Sequence, residues 1–446
     1  MLLSLPPALA AVGGRARAFK RLYRGIFLRT YTPLTTPSFA SSIRSLSALR
    51  AAMSAPKDTW KPTFTPVTDA GAATTNPICL LRLVSYNILA QAYVKSVNFP
   101  HSPRSCLRWK NRSEAVISRL LNLDADLLCL QELDEYHTFY RDKLDKAGYG
   151  SVYVQRGNGK KDGCGIFFKR SRITLLSEEI IDYNVLVPPP SVEEAEATEA
   201  ETDDAHIDGS SRDGDEAARK IGDLNDVRVR LKRDCVGIIA AFKPLDAPDH
   251  IFILANTHIY WDPVLMDVKL AQAQHLASSL SKFNEKAARE YGVDPLVLVA
   301  GDFNSLPGDP VYRYLTSGSY LSKEVRERVP VEYVGSLMKE VQKLKVDSEV
   351  KEGEVREWVL ELDGKTEFPL PAVSLYAYAD EEPAFTNYTH DFVGTLDYIL
   401  FVPCERLKPR TLLALPPPGA IEVTGGLPNH HHPSDHLPIG CDFGLY

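Results

Sequence analysis

From about residue 81 onward, short apolar runs of strand length alternate with stretches in which apolar residues recur every three or four positions. The strand-like runs fall at 81–88, 127–130, 164–168, 236–242, 251–256, 296–300, 396–402 and 437–443, and are rich in Val, Ile, Leu, Phe and Tyr. Helical spacing marks 112–123, 266–283 and 331–344. The pattern predicts an α/β chain of many strands and no internal repeat.

The runs end in an unusual way. Val84-Ser85-Tyr86 leads into Asn87, Leu128-Cys129-Leu130 into Gln131-Glu132, and Ile253-Leu254-Ala255 into Asn256-Thr257-His258. Val297 to Ala300 leads into Gly301-Asp302-Phe303-Asn304, Asp397 opens a run, and Ser434-Asp435-His436 precedes the last one. A single Asp or Asn after a strand is most often a turn or cap residue. Six polar endings together are harder to explain that way, because ligand sites of α/β sheets lie at strand ends and clustered buried carboxylates need a partner. A hard divalent cation is such a partner. The oxygen-rich set suits Mg²⁺ or Mn²⁺, and the lack of paired Cys and of an H-E-x-x-H spacing argues against zinc. His430-His431-His432, on a Pro-flanked loop, reads as a solvated stretch or as support behind the site.

Composition changes the picture in three places. The chain has 446 residues, 44% hydrophobic and 24% charged, with a net charge of -7, which fits a globular protein and excludes a basic nucleic-acid coat. Residues 1–57 carry nine bases and no acid before Asp58, the signature of a mitochondrial or plastid transit peptide. Met53 offers an alternative start whose product would stay in cytoplasm and nucleus. Residues 58–80 read as a linker and 81–446 as the catalytic domain. Within it, 188–226 reads as a disordered acidic insert and 319–372 as a second insert. Seven Cys without a C-x-x-C pair fit buried thiols in a reducing compartment. No run reaches membrane-spanning length, and no membrane partner is expected.

In order along the chain, the segments VSYNILAQ, LLCLQELDEYHTFY, KKDGCGIFFK, RLKRDCVGIIAAFK, ANTHIYWDP, AGDFNSLPGD, FTNYTHDFVGTLDYI and PSDHLPI resemble the endonuclease/exonuclease/phosphatase superfamily. Within it they resemble the deadenylases of the carbon catabolite repressor protein 4 group and their nocturnin-like and plant Hesperin-type relatives. The resemblance implies a DNase I-like four-layer sandwich, two packed mixed β-sheets flanked by helices, with the active site at one end. It further implies a cofactor of two Mg²⁺ ions, with Mn²⁺ as substitute. Glu132 resembles the principal metal ligand, Asn87 a neighbour on metal or phosphate, and Asp435 a residue beside the metal. Asp302 resembles the group that orients or deprotonates the attacking water, with Asn304 on the phosphate. His436, backed by Asp397, resembles the imidazole that meets the scissile phosphate, and His258 the histidine that donates to a phosphate oxygen.

For the substrate, Trp261 and Pro263 resemble an adenosine-binding loop, and Asn387 and Phe392 match positions that contact terminal bases. As residue types alone, Trp261 and Phe392 are equally readable as core aromatics. The implied activity is Mg²⁺-dependent 3′-to-5′ shortening of poly(A) RNA with release of AMP. The alternative is removal of the 2′-phosphate of NADP(H), for which Lys160, Lys161, Arg230, Lys232 and Arg233 are candidate receivers or plain surface charges. Nocturnin-like enzymes use basic residues where Ile259-Tyr260-Trp261 stands here. A third reading is an RNA-binding module without catalysis, against which the complete acidic and imidazole set argues. No leucine-rich repeat precedes the domain, so stable docking on the scaffold complex of repeat-bearing deadenylases is not expected.

Overall fold

The predicted runs all become strands. In the computed structural model, residues 61–67, 76–189, 224, 226–316 and 372–446 are described. In chain order the strands are β1 (Phe64–Pro66), β2 (Cys79–Asn87), β3 (Leu127–Gln131), β4 (Tyr149–Gln155), β5 (Gly163–Lys169), β6 (Ile173–Asp182), β7 (Val236–Pro244) and β8 (Phe252–His258). They continue as β9 (Leu296–Asp302), β10 (Val373–Ser374), β11 (Asn387–Tyr388), β12 (Val393–Gly394), β13 (Asp397–Phe401), β14 (Leu407–Leu413) and β15 (Ile439–Leu445). One sheet has the order β1-β14-β15-β2-β3-β5-β4 and the other β10-β13-β9-β8-β7-β6. Each is mixed, with one parallel pair, β2 with β3 and β8 with β9.

Strand alternation divides the apolar residues between two faces. Leu81, Leu83, Leu127, Cys129, Leu254, Leu298, Ala300 and Ile399 belong to one core between the sheets. Val84, Tyr86, Leu128 and Leu130 point the other way, into a core shared with Val116 and Leu120 of helix α1 (Trp109–Leu123). On the second sheet Ile253, Ala255, Val297 and Val299 pack with Leu276 and Leu280 of helix α2 (Met266–Tyr291). The result is the expected four layers of helix, sheet, sheet and helix.

The differences from the sequence pattern have local causes. Strands β4 and β6 sit at sheet edges and carry Gly, Ser and Glu, so their alternation is weak. Strand β14 contains Pro409, next to a register shift. Strand β1 and the first residues of β2 lie within 58–80, the segment expected to be a linker. Helix α2 extends two turns beyond 283, where its polar end buries only Ala287 and so leaves no apolar spacing to read, and it stops where Gly292 takes a left-handed φ of 70°. The leader 1–57, the predicted helix at 331–344 and nearly all of both inserts lie outside the described residues. Among the described residues no helix is long and apolar enough to cross a membrane.

Candidate active site

Asn87, Gln131, Asn256, His258, Asp302 and Asp397 continue the same alternation that sends Leu83, Cys129, Leu254, Ala300 and Ile399 between the sheets. The site is therefore the polar end of the inter-sheet core. His258 and Asp302 are last ladder residues, not turn caps: they pair in register, and Asp397 pairs with Asp302 from the other side. In the opposite sheet Asn87 pairs with Gln131, and β15 begins at Ile439 opposite Ser85, which brings Asp435 and His436 to the same edge.

Two buried amides tie the sheets together beneath the site. Gln131 Nε2 donates to Asn256 Oδ1 at 2.8 Å, and Asn256 Nδ2 donates to the carbonyls of Leu130 and Gly165 at 3.0 and 2.9 Å. Above them Asn87 Nδ2 donates to Asp302 Oδ2 at 2.9 Å and to Glu132 Oε1 at 3.1 Å. Asn87 thus bridges the leading metal-ligand candidate and the candidate base. Its Oδ1 accepts from the Leu89 N–H.

Glu132 has a φ of 52°, a conformation costly for a side chain of this kind and most often found at functional positions. Its Oε2 accepts the Ala90 N–H at 2.9 Å. Burial, followed by the negative charges of Asp435 and Asp162, nevertheless raises its pKa to about 8, with His436 opposing. A cluster of carboxylates whose neighbours repel its own charge has the donor set that a divalent cation would relieve. Glu132, with Asp435 the nearest-acting carboxylate on it, offers oxygen donors of the kind such an ion takes. Asp302, Asp397 and His436 also bring ligand atoms within 4.8 Å of one another. There, however, His436 Nδ1 and Asp397 Oδ2 are 2.7 Å apart, a hydrogen bond that an ion cannot enter.

Both residues of that pair are buried. Thr386 Oγ1 donates to Asp397 Oδ2 at 2.6 Å, while Oδ1 is buried without a partner. Burial favours a neutral His436, but Asp397 and Asp302 outweigh it and hold the imidazole well above its usual range. His436 Nε2 lies 3.7 Å from Asp302 Oδ2. Asp302 is itself raised by burial and by Asp397, and the Asn304 N–H caps its Oδ1 at 2.9 Å.

His258 behaves differently from His436. Burial lowers its pKa, and its Nε2 lies 3.0 Å from Asn304 Nδ2, which also donates to the Ile259 carbonyl. With the amide assigned that way, His258 Nε2 accepts, and Nδ1 carries the proton. The expected donor role of His258 toward a phosphate requires Asn304 to turn.

Around the rim, Trp261 is 63% exposed beside Tyr260, which excludes the core reading for that ring. Pro263 is exposed next to it, in a turn closed by Asp262 Oδ1 and the Val264 N–H. Asn387 is buried and bridges to His436 through the backbone, and Phe392 is half-buried against Gly394. Of the bases considered for a second phosphate, Arg230 is paired with Asp267 at 2.6 Å and Lys160 with Asp234 at 3.4 Å. Arg233 lies over the Tyr260 ring. In the histidine run, His430 and His431 are exposed, but His432 is buried on Arg119, which with burial pushes its pKa to about 3.

Three neighbours of the site were not singled out from the sequence. Asp162, within KKDGCGIFFK, is buried and held by Tyr93 at 2.7 Å and Arg156 at 3.3 Å. Thr386 lies in FTNYTH, and Ser434, whose Oγ donates to the Asn87 carbonyl at 2.7 Å, in PSDHLPI. Their position in the quoted segments was the available signal.

The Endonuclease/Exonuclease/phosphatase family description matches residues 84–436. The chain is 46% identical over 365 residues to carbon catabolite repressor protein 4 homolog 4 of Arabidopsis thaliana, covering 82% of this chain and 77% of that one. It is 26% identical over 407 residues to the CCR4-Not complex 3′-5′-exoribonuclease subunit Ccr4 of Phaeosphaeria nodorum, covering 81% of this chain but only 59% of that relative's length. Among solved structures, ANGEL2, a 2′,3′-cyclic phosphatase, superposes with a TM-score of 0.60 at 24% identity, covering 86% of this chain and 98% of that one. The human Nocturnin catalytic domain gives 0.51 at 20% identity with the same coverage. At these identities the two structures show the fold alone.

Proposed function

The chain belongs to the endonuclease/exonuclease/phosphatase family, and from that premise we propose that it is a Mg²⁺-dependent 3′-to-5′ exoribonuclease that removes AMP from poly(A) tails. The observation that carries the reading is the convergence, at one end of the inter-sheet core, of Glu132 and Asn87 with Asp302 and the His436–Asp397 pair. The 46% identity to a carbon catabolite repressor protein 4 homolog supports the choice of a nuclease.

Glu132, with Asn87 and Asp435, would hold the metal, which when bound neutralises charge developing on the phosphate. Asp302 orients the attacking water and takes its proton. Its two oxygens are fixed by Asn87 and the Asn304 N–H, and its raised pKa makes it a stronger base than an exposed carboxylate. The cationic His436, held by Asp397, offers its Nε2–H to a non-bridging oxygen. Asn304 and His258 stand side by side next to Asp302, and because Asn304 Nδ2 donates to His258 Nε2 and to the Ile259 carbonyl, one of these bonds opens before either side chain donates to the phosphate. Trp261 and Pro263 give the terminal adenine an exposed aromatic face and a flat edge, and Asn387 and Phe392 line the approach.

The alternative substrate, NADP(H), would need free cations for the 2′-phosphate. Two of the five candidate bases, Lys160 and Arg230, are already paired with carboxylates and so are not free for it. Turnover of oligo(A), oligo(U) and NADPH by the full chain, with and without Mg²⁺, tests the choice. Faster release of AMP from oligo(A) is expected, whereas phosphate from NADPH alone would replace this reading with the second.

A further inference from the structure

Helices α1 and α2 both send buried cations to the loops that carry the catalytic groups, Arg112 and Arg119 from α1 and Lys269 from α2. Arg112 is 1% exposed. Its Nη1 donates to the carbonyls of Ile88 and Pro433 at 3.2 and 2.5 Å, its Nη2 to Leu89, and its Nε to Gln91 Oε1 at 3.2 Å. One guanidinium therefore joins two segments far apart in the chain. The first carries the Ala90 N–H that holds Glu132. The second runs directly into Ser434, Asp435 and His436.

Lys269, also 1% exposed, serves the opposite sheet. Its Nζ donates to the Asn304 carbonyl at 2.7 Å, at a residue whose φ is 46° and whose side chain touches His258. One turn later Gln272 Oε1 accepts the Tyr260 N–H at 2.8 Å, which ties down the segment between His258 and Trp261. Among the described residues neither cation has a hydrogen bond to a carboxylate. Burying a charge this way is a poor means of gaining stability, since apolar residues of similar volume serve at least as well. A planar fork, in contrast, is suited to fixing two carbonyl-bearing loops at once.

We propose that Arg112 and Lys269 are positioning residues, one per sheet, that hold the active-site loops in their reactive geometry through backbone carbonyls. The proposal rests on the site assignment above and not on the choice of RNA as substrate.

The test uses the full chain with Arg112→Met, Arg112→Lys and Lys269→Met. Amide hydrogen exchange in metal-free protein is read together with kcat and KM on oligo(A). Arg112→Met is expected to speed exchange at 86–92 and 429–437 and leave 258–263 as in the wild type. Lys269→Met is expected to do the reverse, at 258–263 and 302–306. Each lowers kcat roughly 10- to 100-fold, as sub-ångström to ångström misplacement does, with KM unchanged for Arg112→Met and raised for Lys269→Met, whose loosened segment carries Trp261. Arg112→Lys keeps a buried cation without the fork, so it folds if charge alone is needed and still loosens one of the two loops. Exchange that rises uniformly, or loops and kcat that match the wild type, would overturn the proposal. Because exchange needs no substrate, it decides the matter even if oligo(A) is not hydrolysed.

Discussion

His436 Nδ1 and Asp397 Oδ2 stand 2.7 Å apart, both buried, with Asp397 lying opposite Asp302 across two neighbouring strands. The pairing favours the cationic form of His436, because Asp397 and Asp302 outweigh the burial that would neutralise it. Activity should then fall as pH rises through the His436 pKa. Asp397→Asn removes the supporting charge, so the alkaline limb of the kcat profile is expected to move to lower pH. With it kcat should fall by roughly three to four orders of magnitude, as when a comparable His loses its carboxylate. An unmoved limb would show that the pair is structural only.

The second prediction concerns Glu132. Its folded pKa of about 8 lies above the ordinary 4.5, so between those values the native state binds the proton more tightly than the unfolded chain. Metal-free stability therefore declines as pH rises through this window. In EDTA the melting temperature is expected to be lower at pH 8 than at pH 5.5, Mg²⁺ should restore more at pH 8, and Glu132→Gln should flatten the dependence while abolishing hydrolysis. Identical melting curves for wild type and variant at both pH values would reject the charge assignment.

The inter-sheet amides give a stability prediction. Gln131→Ala leaves Asn256 Oδ1 buried without its donor, since the 2.8 Å bond between them is lost. Urea denaturation should show a loss of about 1–3 kcal/mol, the cost of one unsatisfied buried polar group, plus a cavity contribution. No change would mean that water replaces the amide.

Trp261 separates substrate recognition from folding. At 63% exposure it contributes little to the core, and stacking on a base is worth about 1–3 kcal/mol. Trp261→Ala should raise KM for oligo(A) roughly 5- to 150-fold by that scale, with the melting temperature preserved. If KM stays constant, the adenine binds elsewhere.

Strands β2, β3, β8, β9 and β13 were legible in the sequence as short apolar runs with a polar residue at one end; which face each residue takes was not, because a run that is apolar on both faces shows no alternation. Strands β4 and β6 were not legible, because edge positions tolerate the Gly, Ser and Glu that blur the period, nor was β14, whose Pro409 stands beside a register shift. Asn87, Glu132, Asp302 and His436 announced themselves by interrupting apolar runs. Arg112 did not: its meaning lies in a contact with Pro433, 321 residues away, and a buried arginine in a helical pattern looks like surface. His258 was legible as a site residue, but its accepting role depends on Asn304, whose left-handed backbone no local pattern reveals.

The central claim is that this constellation cleaves a phosphodiester at the 3′ end of an adenylate tail. The most direct measurement follows a 5′-labelled RNA ending in oligo(A) through digestion by the full chain in Mg²⁺, beside Asp302→Asn. The account expects a ladder shortened one nucleotide at a time from the 3′ end, AMP as the small product, slowing where adenylates end, and no reaction in EDTA or with the variant. Internal cuts, or equal digestion by Asp302→Asn, would contradict it.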